Sequence, residues 1–176
     1  FALIKERKRL SKKDDASGTF PYKAFVPALG TEFGRARKHG YQLVLALISV
    51  DAFRRYVETH GIDNAHALLA EVAGVIDDLT SEMDILARFG ADEFVLCLSG
   101  LDDDAAREKL DSLHRSVQDR VIGQGDVEVD VTIGAVALKG DADLSRHLQD
   151  VLSALGKALV RAKNERTASV ALTRLS

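Results

Sequence analysis

The chain of 176 residues carries 24 Lys and Arg against 27 Asp and Glu, a formal net charge of −3. That balance argues against a general nucleic-acid binder, which needs a basic face. Apolar residues at 46% and charged residues at 29% describe an ordinary globular protein, one domain long, able to bury roughly 70% of its unfolded surface without disulfide or metal staples.

Residues Phe1 to Lys13 are helix-prone and basic, with Lys5, Arg7, Lys8, Arg9, Lys12 and Lys13. They read either as a solvated connecting helix or as the end of a signalling helix just inside a membrane, where basic residues accumulate. The start at Phe1 in place of Met reads as that of a piece of a longer protein. Asp14 to Gly18 breaks the helical pattern, so residues 1–18 are taken as a linker and residues 19–176 as the folded domain. A helix is expected from Pro21, whose missing N–H costs nothing in a first turn, to Lys38, with Gly40 as its stop. Tyr41 to Val50 is a nearly continuous apolar run, the pattern of a strand buried on both faces. A short helix over Ala52 to Thr59 and a longer one capped by Asp63 or Asn64 follow, the latter carrying Leu68, Leu69, Val72, Val75, Ile76 and Leu79 at helical spacing.

Ile85 to Gly100 then reads Ile-Leu-Ala-Arg-Phe-Gly-Ala-Asp-Glu-Phe-Val-Leu-Cys-Leu-Ser-Gly. Two alternating apolar runs flank Gly90-Ala91-Asp92, as in a β-hairpin, with the carboxylates of Asp92 and Glu93 at the tip. Cys97 lies inside the second run; as the only cysteine it excludes an intrachain disulfide, suits a reducing cytosol and reads as buried and inert. A helix is expected from about Asp102, with Ala106, Leu110, Leu113 and Val117 on one stripe. Val127, Val129, Val131 and Ile133 alternate with Glu128, Asp130 and Thr132, which predicts a strand with one wet face. Leu144 to Leu159 marks a last helix and Ser169 to Leu172 a last strand. Strand, two helices, hairpin, helix, strand, helix, strand is an α+β order that calls for a ferredoxin-like mixed sheet flanked by helices. The five histidines (His39, His60, His66, His114 and His147) show no metal-ligand spacing. No apolar run is long enough to span a membrane and no signal peptide is visible, so a cytoplasmic protein, or the cytosolic part of a membrane-anchored one, is expected.

Arg-Phe-Gly-Ala-Asp-Glu-Phe resembles the signature of the GGDEF family, the bacterial diguanylate cyclases, with Ala91 at the second glycine. The likeness continues in order over roughly residues 14 to 170. Asp14 to Phe25 resembles the opening motif D-x-L-T-G-L-x-N-R-R-x-F, keeping Asp14, Gly18 and Phe25 but with Pro21-Tyr22 where Asn-Arg would stand. Ile48 to Arg54 resembles I-D-I-D-H-F-K, Thr132 to Ala135 resembles S-I-G-V, and Ala158 to Lys163 resembles A-L-Y-x-A-K. The resemblance implies a nucleotidyl-cyclase-type mixed sheet. It also implies a reaction in which two facing domains join two GTP molecules into cyclic di-GMP, with Mg²⁺ held by carboxylates.

Carried over position by position, the resemblance places Ser49 where the first metal-binding aspartate would stand, and Asp92 at the second. Val57 and His66 fall at the positions that hydrogen-bond guanine. Val57 offers no polar atom, at a cost of roughly 1–3 kcal/mol per unpaired group; His66 reads as a base contact or as a plain surface histidine. A Cβ at Ala91 is expected to crowd a nucleotide and to strain the turn by about 1 kcal/mol. Arg54 and Lys163 match phosphate-binding cations, or are ordinary solvated charges; Thr167, with Arg166 beside it, stands where a further arginine is expected. The inhibitory R-x-x-D appears as Ser81-Glu82-Met83-Asp84, without its arginine, so that cyclic di-GMP binding there is not expected.

Three functions follow as expectations. The first is a degenerate GGDEF domain used for regulation or protein contact, with Asp92 and Glu93 as relics and no cofactor. The second is an active cyclase with Mg²⁺ on Asp92 and a relocated ligand, Asp51. That swap is opposed by strand geometry, since residues two apart share a face but sit about 7 Å apart. The third is a GTP-binding sensor without turnover. The expected partner is a protein or an adjacent signalling domain, with homodimerisation through the basic helix a further expectation; Leu3 and Leu10 alone make no heptad seam.

Overall fold

The computed structural model describes residues 17, 19–121, 129–139, 144–165 and 170–175, with side chains from 148 onward in the last helix. The expected basic helix at Phe1 to Lys13, most of the Asp14–Gly18 linker, Val127 and Glu128, Ser169, and the Arg166–Thr167 pair lie outside these residues. Among the described residues six strands form one mixed sheet: β1 (Phe20–Pro21), β2 (Leu43–Asp51), β3 (Ile85–Arg88), β4 (Glu93–Ser99), β5 (Asp130–Leu138) and β6 (Val170–Arg174), in the order β1-β3-β4-β2-β5-β6. The antiparallel β3-β4-β2-β5 block is the ferredoxin-like centre, and β1 and β6 extend it with parallel pairings to β3 and β5.

Among the described residues five helices cover the sheet: α1 (Tyr22–His39), α2 (Phe53–His60), α3 (Ile62–Leu79), α4 (Asp103–Val121) and α5 (Leu144–Asn164). Alternation along β2 splits the interior into two cores. Val44, Ala46, Ile48 and Val50 join Phe53, Leu69, Ile76, Leu110 and Leu113 under α2, α3 and α4. Leu43, Leu45 and Leu47 face Phe25, Leu29, Leu155 and Leu159 of α1 and α5. With both faces covered, β2 needs apolar residues throughout, which is why it reads as a continuous run. Leu45, Ile48 and Phe94 are fully buried, a contribution of roughly 2 kcal/mol each from removing their side chains from water.

Most expected boundaries hold within a residue or two, but α5 runs on to Asn164 and β5 to Leu138, each five residues past its expected end, and three further points are corrected. α3 begins at Ile62 on Gly61, with no side-chain cap; Asn64 instead donates its amide N–H to the His60 carbonyl at 2.7 Å, and so ties α3 back to α2. β5 is buried on both sides from Val131 to Leu138, because α4 and α5 cover it; of the expected wet residues Thr132 is buried, while Asp130 at the strand's start keeps 46% of its side chain exposed. A two-residue β1, too short to carry a period, precedes α1. α1 itself ends as expected at Gly40, whose φ of 72° is left-handed and whose N–H returns to the Ala36 carbonyl.

Gly134 fixes how α5 sits on the sheet. A Cβ built there would lie 2.2 Å from the Leu159 backbone nitrogen, so helix and strand approach at backbone contact. Gly134→Ala is therefore expected to cost about 3 kcal/mol or more, at the upper end of overpacking penalties because the obstacle is backbone. Urea unfolding measures it, and an unchanged midpoint would show that the close approach does not matter.

Candidate functional site

One end of the sheet gathers the polar residues that the sequence singles out. β2 finishes with Ser49 and Asp51 on the α5 side, opposite Glu93 of β4 and Thr132 of β5, which both pair with Ser49 in the sheet register. Ser49 is 1% exposed and Thr132 6%. Lys163, in the last turn of α5, reaches over this end: its Nζ donates to Ser49 Oγ at 3.0 Å and forms an ion pair with Asp51 Oδ1 at 3.3 Å. The second Asp51 oxygen accepts the Thr132 hydroxyl. Ser49 and Asp51, two residues apart on the strand, thus meet at one ammonium.

The hairpin tip is held by the chain itself. The Phe89 and Gly90 N–H groups both donate to the Glu93 carbonyl, at 2.8 and 3.2 Å, and Val50 N–H donates to the Asp92 carbonyl at 2.8 Å. Arg88 donates from Nε to the Gly90 carbonyl at 2.8 Å and from Nη2 to the Ala91 carbonyl. The strain expected at Ala91 is absent. Among described non-glycine residues a positive φ occurs at Ala52 alone, at 59°, so Ala91 follows ordinary backbone with its Cβ in solvent. The left-handed turn at Ala52, of order 1 kcal/mol above a relaxed one, swings the chain from β2 into α2. It buries Phe53 and leaves Arg54 and Arg55 outside.

The other expected positions fall elsewhere. Arg54 is exposed and pairs through Nε with Glu58 at 3.2 Å, whereas Lys163 is engaged with Ser49 and Asp51. Val57 packs against the α2–α3–α4 core. His66 is half-buried on the second turn of α3. At the opposite end of the sheet Ser81 opens the turn before β3, and its N–H donates to Asp84 Oδ2 at 2.7 Å. Asp84 Oδ1 accepts the Ser99 N–H at 3.1 Å. Asp84, 5% exposed, therefore serves the backbone. A cavity of about 350 Å³ opens beside it, lined by Ser99, Glu108, Lys109 and Ser112 among others.

The family described as "Diguanylate cyclase, GGDEF domain" matches residues 13–169. The chain belongs to the GGDEF family. It is 24% identical over 165 residues to the probable diguanylate cyclase DgcC of Escherichia coli strain K12, a match covering 92% of this chain and 44% of that protein. This GGDEF domain therefore spans less than half the length of that curated relative. Among solved structures, diguanylate cyclase SiaD in complex with its activator SiaC from Pseudomonas aeruginosa superposes with a TM-score of 0.79 at 24% identity, covering 98% of this chain and 65% of that one. The GGDEF domain of DgcB from Caulobacter crescentus in complex with c-di-GMP gives 0.79 at 20% identity, covering 92% and 95%. At these identities the structures establish the shared fold.

Diguanylate cyclases of this family use Mg²⁺ when active, and the donor set here fits it poorly. Ser49 supplies a neutral hydroxyl, which brings no charge to offset that of a hard dication, and this hydroxyl is bonded to the Lys163 ammonium. Asp51 has both oxygens engaged, one of them by an ammonium. Among the described residues no group of three or more His, Cys, Asp or Glu is placed to share a metal. The Glu93 carboxyl is pushed above its ordinary value of 4.5, first by burial and then by the Asp92 charge, with Lys163 opposing.

Thr132, Arg88 and Gly134 shape the site without having been given a role from the sequence. Thr132 and Gly134 lie inside the S-I-G-V likeness and Arg88 opens the Arg-Phe-Gly-Ala-Asp-Glu-Phe stretch, so the motifs marked their places but not their contacts.

A glutamate with a raised folded-state pKa holds its proton over a window where the unfolded chain has lost it. Its stabilising contribution is complete below 4.5 and is lost as pH rises through the folded value. At neutral pH the ionised Glu93 is a net cost. Glu93→Gln should accordingly raise Tm at pH 7, with the gain vanishing below pH 4.5; thermal melts across this range with no gain at pH 7 would exclude a strained carboxylate.

Proposed function

We propose that this is a catalytically silent GGDEF domain, a regulatory or protein-contact module of a bacterial cyclic di-GMP signalling protein. The observation that carries it is Ser49: a buried, neutral hydroxyl at the end of β2, bonded to Lys163. The resemblance implies that a metal-binding carboxylate belongs there. A carboxylate–Mg²⁺ bond contributes charge stabilisation that a hydroxyl facing an ammonium does not replace. Val57 adds to this. Its side chain is committed to the core and has no polar atom for a guanine edge.

Function here follows the site and not the fold, so a match to diguanylate cyclases does not carry their activity over. The proposed partner is a protein or an adjoining signalling domain, in keeping with the activator complex seen for SiaD. Residues 1–18 act as its basic linker, residues 19–176 as the module, and the setting is cytoplasmic. Among the described residues no helix is long and apolar enough to cross a membrane. Cyclic di-GMP does not bind through the Ser81–Asp84 turn in this reading, because both Asp84 oxygens hold backbone N–H groups and the arginine is missing.

The purified protein with GTP and Mg²⁺ should yield no cyclic di-GMP by chromatography and no GTP binding by calorimetry. Product would overturn the reading; binding without product would replace it by a nucleotide sensor. Ser49→Asp, Val57→Asn, His66→Asp and Ala91→Gly combined should restore GTP binding. Failure to do so would mean that these positions are not where the site was lost.

A further inference from the structure

We propose that Lys163 is the resident cation of this end of the sheet: its ammonium balances the carboxylates there and closes the site to divalent metal. This deepens the reading of a silent domain and rests on it. Asp51 and Glu93 bring two carboxylates to the ends of β2 and β4, with Asp92 next to Glu93 at the hairpin tip. On the face that Ser49, Asp51 and, through its pairing with Ser49, Glu93 share, Lys163 Nζ sits 3.0 Å from Ser49 Oγ and 3.3 Å from Asp51 Oδ1.

The reach is built in. Gly134 seats Leu159 against β5, and four residues further on, about 6 Å along the axis, Lys163 stands over the strand ends. Thr132 holds Asp51 from the other side, so the carboxylate presents a fixed oxygen to the ammonium. The same ammonium favours the charged form of Glu93, against burial and Asp92. Ser49 completes the arrangement. As a hydroxyl it accepts from the ammonium with no second charge to be shielded, whereas a carboxylate at this point would call for more positive charge than one lysine supplies.

A dication approaching these oxygens at its bonding distance of about 2.0–2.1 Å for Mg²⁺ would meet the ammonium at close range and displace it. The chain therefore carries in a side chain what an external ion would otherwise bring. Lys163 is thereby a charge-balancing residue, engaged with protein groups and not held ready for a phosphate.

The test uses metal alone, without nucleotide. Mn²⁺ is titrated into the wild-type chain, Lys163→Gln and Lys163→Arg, with calorimetry and Tm as readouts. Lys163 is partly exposed, with 42% of its side chain in solvent, so both variants should fold, and the Tm series checks it. The wild-type and arginine proteins should be indifferent to Mn²⁺. The glutamine protein should bind it at least about tenfold more tightly, a gap of about 1.4 kcal/mol, with a Tm that rises with metal. A purely steric role would leave arginine and glutamine alike. Equal responses of wild type and Lys163→Gln, or none in either, would overturn the proposal. Cyclic di-GMP synthesis by the wild type would sink the silent-domain reading by a separate measurement.

Discussion

The arrangement of this domain depends on one close approach, that of the α5 backbone to Gly134. A helix normally stands off a sheet by the thickness of its side chains. Here the missing Cβ on β5 lets Leu159 settle on the strand itself, flanked by the small, buried Ala158 and Ala162. Gly134 pairs with Leu47 and Thr132 with Ser49. Two strand residues advance about 7 Å and one helical turn about 5.4 Å, so a helix seated at Gly134 delivers Lys163 over Ser49. Packing in the middle of the sheet thereby fixes electrostatics at its end.

That link separates two sets of residues. Shape depends on the apolar faces of β2, β4 and β5, on Gly134, on the left-handed turn at Ala52 and on the backbone clamp by Arg88. None of these needs a ligand. Ligand chemistry would depend on the charge at position 49, on a polar edge at 57 and on uncommitted oxygens at Asp51. The first set is intact and mutually supporting, and in the second Asp51 is engaged by Lys163 and Thr132. Similarity to diguanylate cyclases measures mainly the first set, which explains a fold shared at 20–24% identity.

Much of the fold was legible in the sequence because period and length carry it. β2 announced itself as an unbroken apolar run, the hairpin by two runs about a turn, and α1 by a stop at Gly40. What escaped had no local signal. Alternation in β5 suggested a wet face, yet Thr132 is satisfied by Asp51, 81 residues away. Asp130 is satisfied in the same way, by His114 and Gln118 of α4. Asp63 and Asn64 looked like caps, but the start of α3 is set by how Gly61 leaves α2. At the site, aligned motifs named Ser49, Asp92, Glu93 and Lys163, but not that Lys163 would fold onto Ser49 across 114 residues. Ala91 was suspected of strain that Ala52 in fact carries, because φ follows from the path of the chain and not from the letter.

Asp84 has a mechanical consequence. Its carboxylate grips the N–H of Ser81 with one oxygen and that of Ser99 with the other, while Gln42 fastens the neighbouring Gly100, Leu101 and Asp103. The exit of α3, the end of β4 and the root of α4 are thus laced together by side-chain and backbone hydrogen bonds. Moving any one of the three away from the others must break at least one of these bonds, at roughly 1 kcal/mol or more each where the group is left buried.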